Sequence, residues 1–178
     1  MLPCAPMAEY KGPGQFARAV LCVNGGPGDD LVVGAAARMA KVARTELIGV
    51  HVIEIDWTHD LAEVVPGAQQ RASEVLDRAE ARAERAGVPL KTTLLQARDV
   101  GAALVDEATA VGADLVVLGL PYRTRFGGDF AIGRVVPYVF QNAPMSVMVV
   151  RCPMPAADTT PSENGLAAGS EKRAFARG

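Results

Sequence analysis

Residues Asp114–Arg134 read DLVVLGLPYRTRFGGDFAIGR, and the parsing of this stretch decides the fold. Leu115–Leu118 is an apolar run bounded by Asp114 and Gly119. A run this short, apolar throughout and closed by a turn former, suits a strand buried on both faces of a parallel sheet. It leads into a loop rich in glycine and arginine, and a helical pattern opens near Gly133. Strand, Gly-rich basic loop and helix start make a place to hold an anion, because backbone N–H groups and the helix dipole converge there. The bland alternative is a surface loop with turn glycines and solvated arginines. Spacing alone does not separate the two.

Upstream, Ala17–Asn24 (ARAVLCVN) reads as a first strand that ends in the turn cluster Gly25–Asp30, GGPGDD. Asp29 or Asp30 is a plausible N-cap for a helix over Leu31–Arg44. Glu46–Ile55 forms the second strand, and a variable link follows over Asp56–Gly67, with a short helix expected around Leu61–Val65. Gln70–Ala86 is the clearest helix. Ala72, Val75, Leu76, Ala79, Ala83 and Ala86 share one face, charges occupy the other, and Gly87 stops it. Glu74 and Arg78 are spaced for an i,i+4 pair worth about 0.3 kcal/mol. The charged face itself is read as solvated.

Val88–Gln96 is a third strand, and Asp99 caps a helix over Val100–Val111 that Gly112 ends. Downstream of the central stretch come a helix over Gly133–Gln141, a break at Asn142-Ala143-Pro144 and a fifth strand, Ser146–Arg151. The alternation β-α-β-α-β-α-β-α-β predicts an α/β fold, a parallel sheet with helices on both faces. Ligands of such sheets bind at the carboxyl ends of strands where the strand order reverses. With the first and fourth strands as central neighbours, that crevice is walled by Asn24-Gly25-Gly26 and by Gly119 onward.

The chain has 178 residues and a net charge of -2, enough for one domain with a proper core. Lys and Arg are dispersed, so nucleic acid is not an expected partner. No apolar stretch approaches the roughly 20 residues of a membrane span. Residues 1–16 hold three prolines and no apolar core; they are expected to be a disordered lead without a secretory signal, with Met7 an alternative start. Residues 153–178 are expected to be a disordered tail, which leaves residues 17–152 as the folded domain. The cysteines, Cys4, Cys22 and Cys152, fit no zinc spacing and read as reduced thiols of a cytoplasmic protein, Cys22 as a small core residue. No metal site is expected.

LIGVHVIE (Leu47–Glu54), VGADLVVLG (Val111–Gly119) and NAPMSVMVVR (Asn142–Arg151), with a first strand that ends in a short polar turn, together resemble a universal stress protein domain. The likeness runs from about Ala17 to Arg151. The variant PYRTRFGGDF, followed by VPYVFQNAP, is most similar to the universal-stress-type domains of bacterial amino-acid permeases. The resemblance implies a three-layer α/β/α fold with a five-stranded parallel sheet in the order 3-2-1-4-5. It also implies a dimer and, in one branch of the family, ATP held by a G-x-x-G-x9-G-S/T loop. Gly119 matches the first glycine of that loop, and Tyr122 stands where the second belongs. Gly133 matches the third with one extra residue between, and Arg134 replaces the Ser/Thr. Asn24 stands where the ATP-binding branch carries Asp, and Val52 falls where the second strand passes the adenine.

These departures have physical consequences. A Tyr side chain at the second glycine position blocks backbone approach to a phosphate or replaces it with stacking. Asn24 keeps a carbonyl oxygen for a ribose hydroxyl but loses the charge. Arg123, Arg125 and Arg134 are three cations whose geometry suits phosphate. His51 in an apolar strand reads as a satisfied structural residue, and His59, between Asp56 and Asp60, as part of a solvated loop. No nucleophile, base or metal set emerges, so no catalysis is expected.

The expected function is therefore a regulatory adenine-nucleotide binder (ATP among the candidates). Its site would use Asn24, Gly25, Val52, Gly119, Tyr122, Arg123, Arg125, Gly133 and Arg134, and it would act as a homodimer through the apolar edge strand 146–151. The alternative is a domain without nucleotide that serves dimerisation and partner docking, including docking on a transporter.

Overall fold

The computed structural model describes residues 16–58, 60–61, 66–120 and 133–151. Nine elements alternate along them: β1 (Arg18–Cys22), α1 (Asp29–Ala43), β2 (Glu46–Glu54), α2 (Ala68–Arg85), β3 (Leu90–Ala97), α3 (Val100–Ala110), β4 (Leu115–Leu120), α4 (Val135–Asn142) and β5 (Ser146–Arg151). The strands form one five-stranded sheet, β3-β2-β1-β4-β5, and every neighbouring pair is parallel. The expected α/β architecture and strand order hold.

Past Arg18 at the start of β1, the central strands carry no charged residue because both of their faces are covered. Ala19 and Leu21 of β1 and Leu115 and Val117 of β4 enter one core with α1 and α2. Val20 of β1 and Val116, Leu118 and Leu120 of β4 enter the other with α3 and α4. The period of two along each strand thus divides one apolar run between two cores. Val32, Val33, Ala36, Ala37 and Ala40 supply the α1 stripe, and Ala72, Val75, Leu76, Ala79 and Ala83 supply that of α2.

Several element ends differ from the sequence expectation. β1 stops at Cys22, two residues before Asn24. β4 runs on through Leu120, so Gly119 is a strand residue paired with Val150 and does not open the loop. α4 begins at Val135, leaving Gly133 and Arg134 in the preceding turn. Neither Asp29 nor Asp30 caps α1 from outside. The helix already includes both, and Gly28 is the N-cap without a side-chain bond. The Asp29 carboxylate instead reaches back to the β1–α1 turn. Asp99 does cap α3, its Oδ1 accepting from the Ala102 N–H at 2.8 Å.

After α2, Gly87 takes a φ of +71°, its N–H bonding the Glu84 carbonyl and the Val88 N–H that of Ala83, so the expected glycine stop is present. Glu74 does not meet Arg78; its Oε1 accepts from Gln70 Nε2 at 3.2 Å. Residues 62–65, most of the short helix expected in the link, lie outside the described residues, as do His59, Cys4 and Cys152.

Candidate functional site

From β1 the chain steps through α1 and α2 to β2 and β3 on one side; α3 carries it back to β4 on the other side of β1, and α4 continues outward to β5. At the carboxyl ends of β1 and β4 the chain therefore diverges, and a crevice opens where the sheet topology predicts one. It encloses about 410 Å³. Val52, Val100, Leu118, Leu120 and Val136 line it with apolar surface, while Asn24, His51, Glu54 and Arg134 supply polar groups.

Of the nine residues singled out from the sequence, Asn24, Val52, Gly119, Gly133 and Arg134 meet in this crevice. Gly25 stands just behind Asn24 on the α2 side. Tyr122, Arg123 and Arg125 lie outside the described residues. The residues that line the crevice without having been singled out include Cys22, Glu54, Val100 and Val136. Strand periodicity could have found Cys22, two residues from Val20 on the same face; nothing in the spacing pointed to Glu54.

The turn after β1 is tightly bonded. Asp29 Oδ2 accepts from the N–H of Gly25 at 2.7 Å and of Asn24 at 3.1 Å. Burial pushes the Asp29 carboxyl above its ordinary range, and those two N–H groups pull it part of the way back. Asn24 Oδ1 accepts from the Gly26 N–H at 2.8 Å, closing an Asx turn. The carbonyl oxygen expected for a ribose hydroxyl is thus already used, and the amide –NH2 is the group Asn24 has left to offer.

His51 behaves as expected. Its Nδ1 lies 2.8 Å from the Val23 carbonyl oxygen, which ties the end of β1 to β2. Gly119 has a different reason from the one its motif position suggests. A Cβ there would stand 3.0 Å from Val32 Cγ2, on the α1 side of the sheet. The missing side chain admits α1, while the Gly119 backbone faces the crevice. At Gly133 a Cβ would meet nothing within 4 Å, so its φ of +76° is what calls for glycine.

Arg134 does not stand ready for an anion as expected. Its Nη2 donates to Glu54 Oε1 at 2.8 Å, linking the start of α4 to the end of β2 across the crevice mouth. Both side chains are well exposed, so the pair adds little stability. It does cancel the two charges at the mouth. The first turn of α4 has no side-chain cap, and Pro137 supplies no N–H. Val135 and Val136 are left as donors directed along the helix axis.

Cys22 shares the wall but is chemically quiet. Burial, with the Asp29 charge adding to it, pushes its thiol from 9.0 up to about 12. The folded protein therefore holds this proton between those values while the unfolded chain releases it. Stability should fall as pH rises above 9 through about 12, and Cys22→Ala should remove that slope from alkaline urea titrations. At pH 8, iodoacetamide should label Cys22 far more slowly in the folded protein than in urea, as read by peptide mass. Equal rates in both states would contradict the raised thiol pKa.

Comparison with known proteins fits this description. None of the curated proteins matches the chain. Among solved structures, a universal stress protein from Archaeoglobus fulgidus superposes with a TM-score of 0.62 at 22% identity, over 74% of this chain and 96% of that one. A universal stress protein from the same organism, in complex with dAMP, gives 0.60 at 20% identity, over 74% and 95%. A universal stress protein family protein from Arabidopsis thaliana with AMP bound gives 0.52 at 15% identity, over 83% and 97%. At these identities the structures share a fold. The sequence profile described as the Universal stress protein family matches residues 15–151, which is most of the chain. With the strand order, the crevice and that match agreeing, the chain belongs to the universal stress protein family.

Proposed function

We propose that this protein binds an adenine nucleotide in the crevice at the carboxyl ends of β1 and β4 and regulates as a homodimer, without chemistry on its ligand. The observation that carries the reading is the crevice itself. About 410 Å³ bounded by Val52, Val100, Leu118, Leu120 and Val136 suits a planar base, and the polar rim of Asn24, His51 and Glu54 suits the sugar beside it. Family members that carry dAMP or AMP support the adenine assignment. ATP is one candidate among these nucleotides. Binding without turnover is supported by the wall's own chemistry, since the Cys22 thiol stays protonated and His51 Nδ1 is used by Val23. The described helices include none long and apolar enough to cross a membrane, and a cytoplasmic location accords with that.

Dimerisation through β5 is supported by the state of that strand. It is a sheet edge, and Val147, Met148, Val149 and Val150 are only half-buried in the single chain. An apolar edge of this kind favours cover by a second chain. The other reading, a docking module without nucleotide, is favoured by one observation: Glu54 already holds Arg134, and Gly26 already holds the Asn24 oxygen.

Native mass spectrometry of protein purified without added ligand separates the two. A dimer carrying the mass of an adenine nucleotide is the expected result. A bare species that stays bare in millimolar ATP and AMP would transfer the case to the docking module.

A further inference from the structure

The crevice does not end at Glu54. A second arm of about 500 Å³ continues from the shared rim of Asn24, His51, Val52 and Glu54 toward α2, where Arg71 and Arg78 line it. The two arginines stand seven residues apart on the helix, two turns along one face. Each guanidinium is seated over a glycine in the left-handed region. A Cβ at Gly67 (φ +72°) would lie 3.2 Å from Arg71 Nη1, and one at Gly25 (φ +82°) 3.7 Å from Arg78 Nη2. A side chain at position 67 would thus crowd Arg71, while one at position 25 would touch Arg78 at ordinary contact distance.

Neither arginine is in an ion pair: among the described residues no carboxylate lies within 4 Å of either guanidinium. Glu54 is neutralised by Arg134. Glu74 lines the same arm and keeps its charge, since its partner Gln70 is neutral, and Asp29 attracts Arg78 through space, so two cations face one unneutralised carboxylate within the arm. Asp30 lies 3.9 Å from Arg82, a turn beyond Arg78.

We infer that the arm between β2 and α2 is a phosphate-binding subsite in which Arg71 and Arg78 hold the oligophosphate end of a ligand. On the nucleotide reading above, on which this use of the site rests, the base occupies the apolar arm and the phosphates turn over Val52 toward α2. Among the described residues the cation on the α4 side of the crevice is Arg134, and it is spent on Glu54. Arginine suits the task because its planar fork can present two N–H donors to one phosphate.

Calorimetric titration of the full chain at low salt with inorganic tripolyphosphate, adenosine and ATP tests this. Wild type is compared with Arg71→Gln/Arg78→Gln and with Arg85→Gln, which removes an exposed arginine of α2 outside the arm. The arginines are exposed, so their loss spares the fold. At about tenfold for each charge-assisted contact, the double variant should bind tripolyphosphate and ATP roughly 100-fold more weakly. Adenosine should bind it as it binds wild type, and Arg85→Gln should bind ATP as wild type does. Tripolyphosphate bound through these arginines by a protein that ignores adenosine would uphold the subsite while the adenine reading fails. The inference is overturned if the double variant binds ATP as wild type does, if Arg85→Gln weakens binding as much as the double variant, or if wild type takes up neither phosphate compound at millimolar concentration.

Discussion

Replacing Val52 by phenylalanine is expected to abolish adenine-nucleotide binding while leaving the protein folded. Val52 stands on the rim shared by the two arms of the crevice. It is half-buried on β2, opposite Leu95 of β3 in register, and its outer surface faces open space. A phenyl ring there grows into the cavity and not into the packed core, so the cost to the fold should stay within about 1 kcal/mol. The same ring takes the volume a base would occupy. Losing the burial of a base forfeits roughly 3 kcal/mol, a fall of about 100-fold or more in affinity. Calorimetry with AMP and a thermal melt in parallel would read both effects. Undiminished AMP binding by the variant would remove the base from this crevice.

The second large effect is expected at the β5 edge of the sheet. On the proposed β5–β5 dimer, Val149→Lys should leave only monomers. Val149 pairs with Leu118 in register and packs one flank against the core beneath α3 and α4. Its other flank belongs to the unpaired side of the edge strand. Within the single chain a lysine can carry its ammonium out to water along its own stem. In a β5–β5 interface two such charges would be buried without partners, at roughly 3 kcal/mol or more. Light scattering should give a single-chain mass with far-UV circular dichroism unchanged. A dimer mass that survives the substitution would exclude β5 as the interface.

The contrast between these two sites shows what kind of information a sequence carries. The strand that carries Val149 was legible because an apolar run between the Asn142-Ala143-Pro144 break and Arg151 has a one-dimensional signature. Gly119 was legible as a special position, yet for a reason the chain could not reveal. Its motif place suggested a loop glycine near a ligand, whereas its absent side chain makes room for Val32 of α1. Asp29 or Asp30 was read as a cap because acids before apolar helices usually are. Here the helix begins at Asp29, two residues before the expected Leu31, and the Asp29 carboxylate binds the turn behind it.

By itself the sequence determined the alternation of elements, the parallel sheet and the two-sided burial of β4, which follow from local periodicity, turn residues and the handedness of crossovers, all of which act over a few residues at a time. The strand order, and with it a crevice at the carboxyl ends of β1 and β4, came from the resemblance of its motifs to the family. Only the tertiary structure decided which charges in that crevice are free. Glu54 and Arg134 are 80 residues apart in the chain and meet at 2.8 Å. Arg71 and Arg78 looked like part of a solvated helix face until the end of β2 was set beside them. Side-chain pairing across elements depends on distances that folding creates, and no spacing along the chain encodes them.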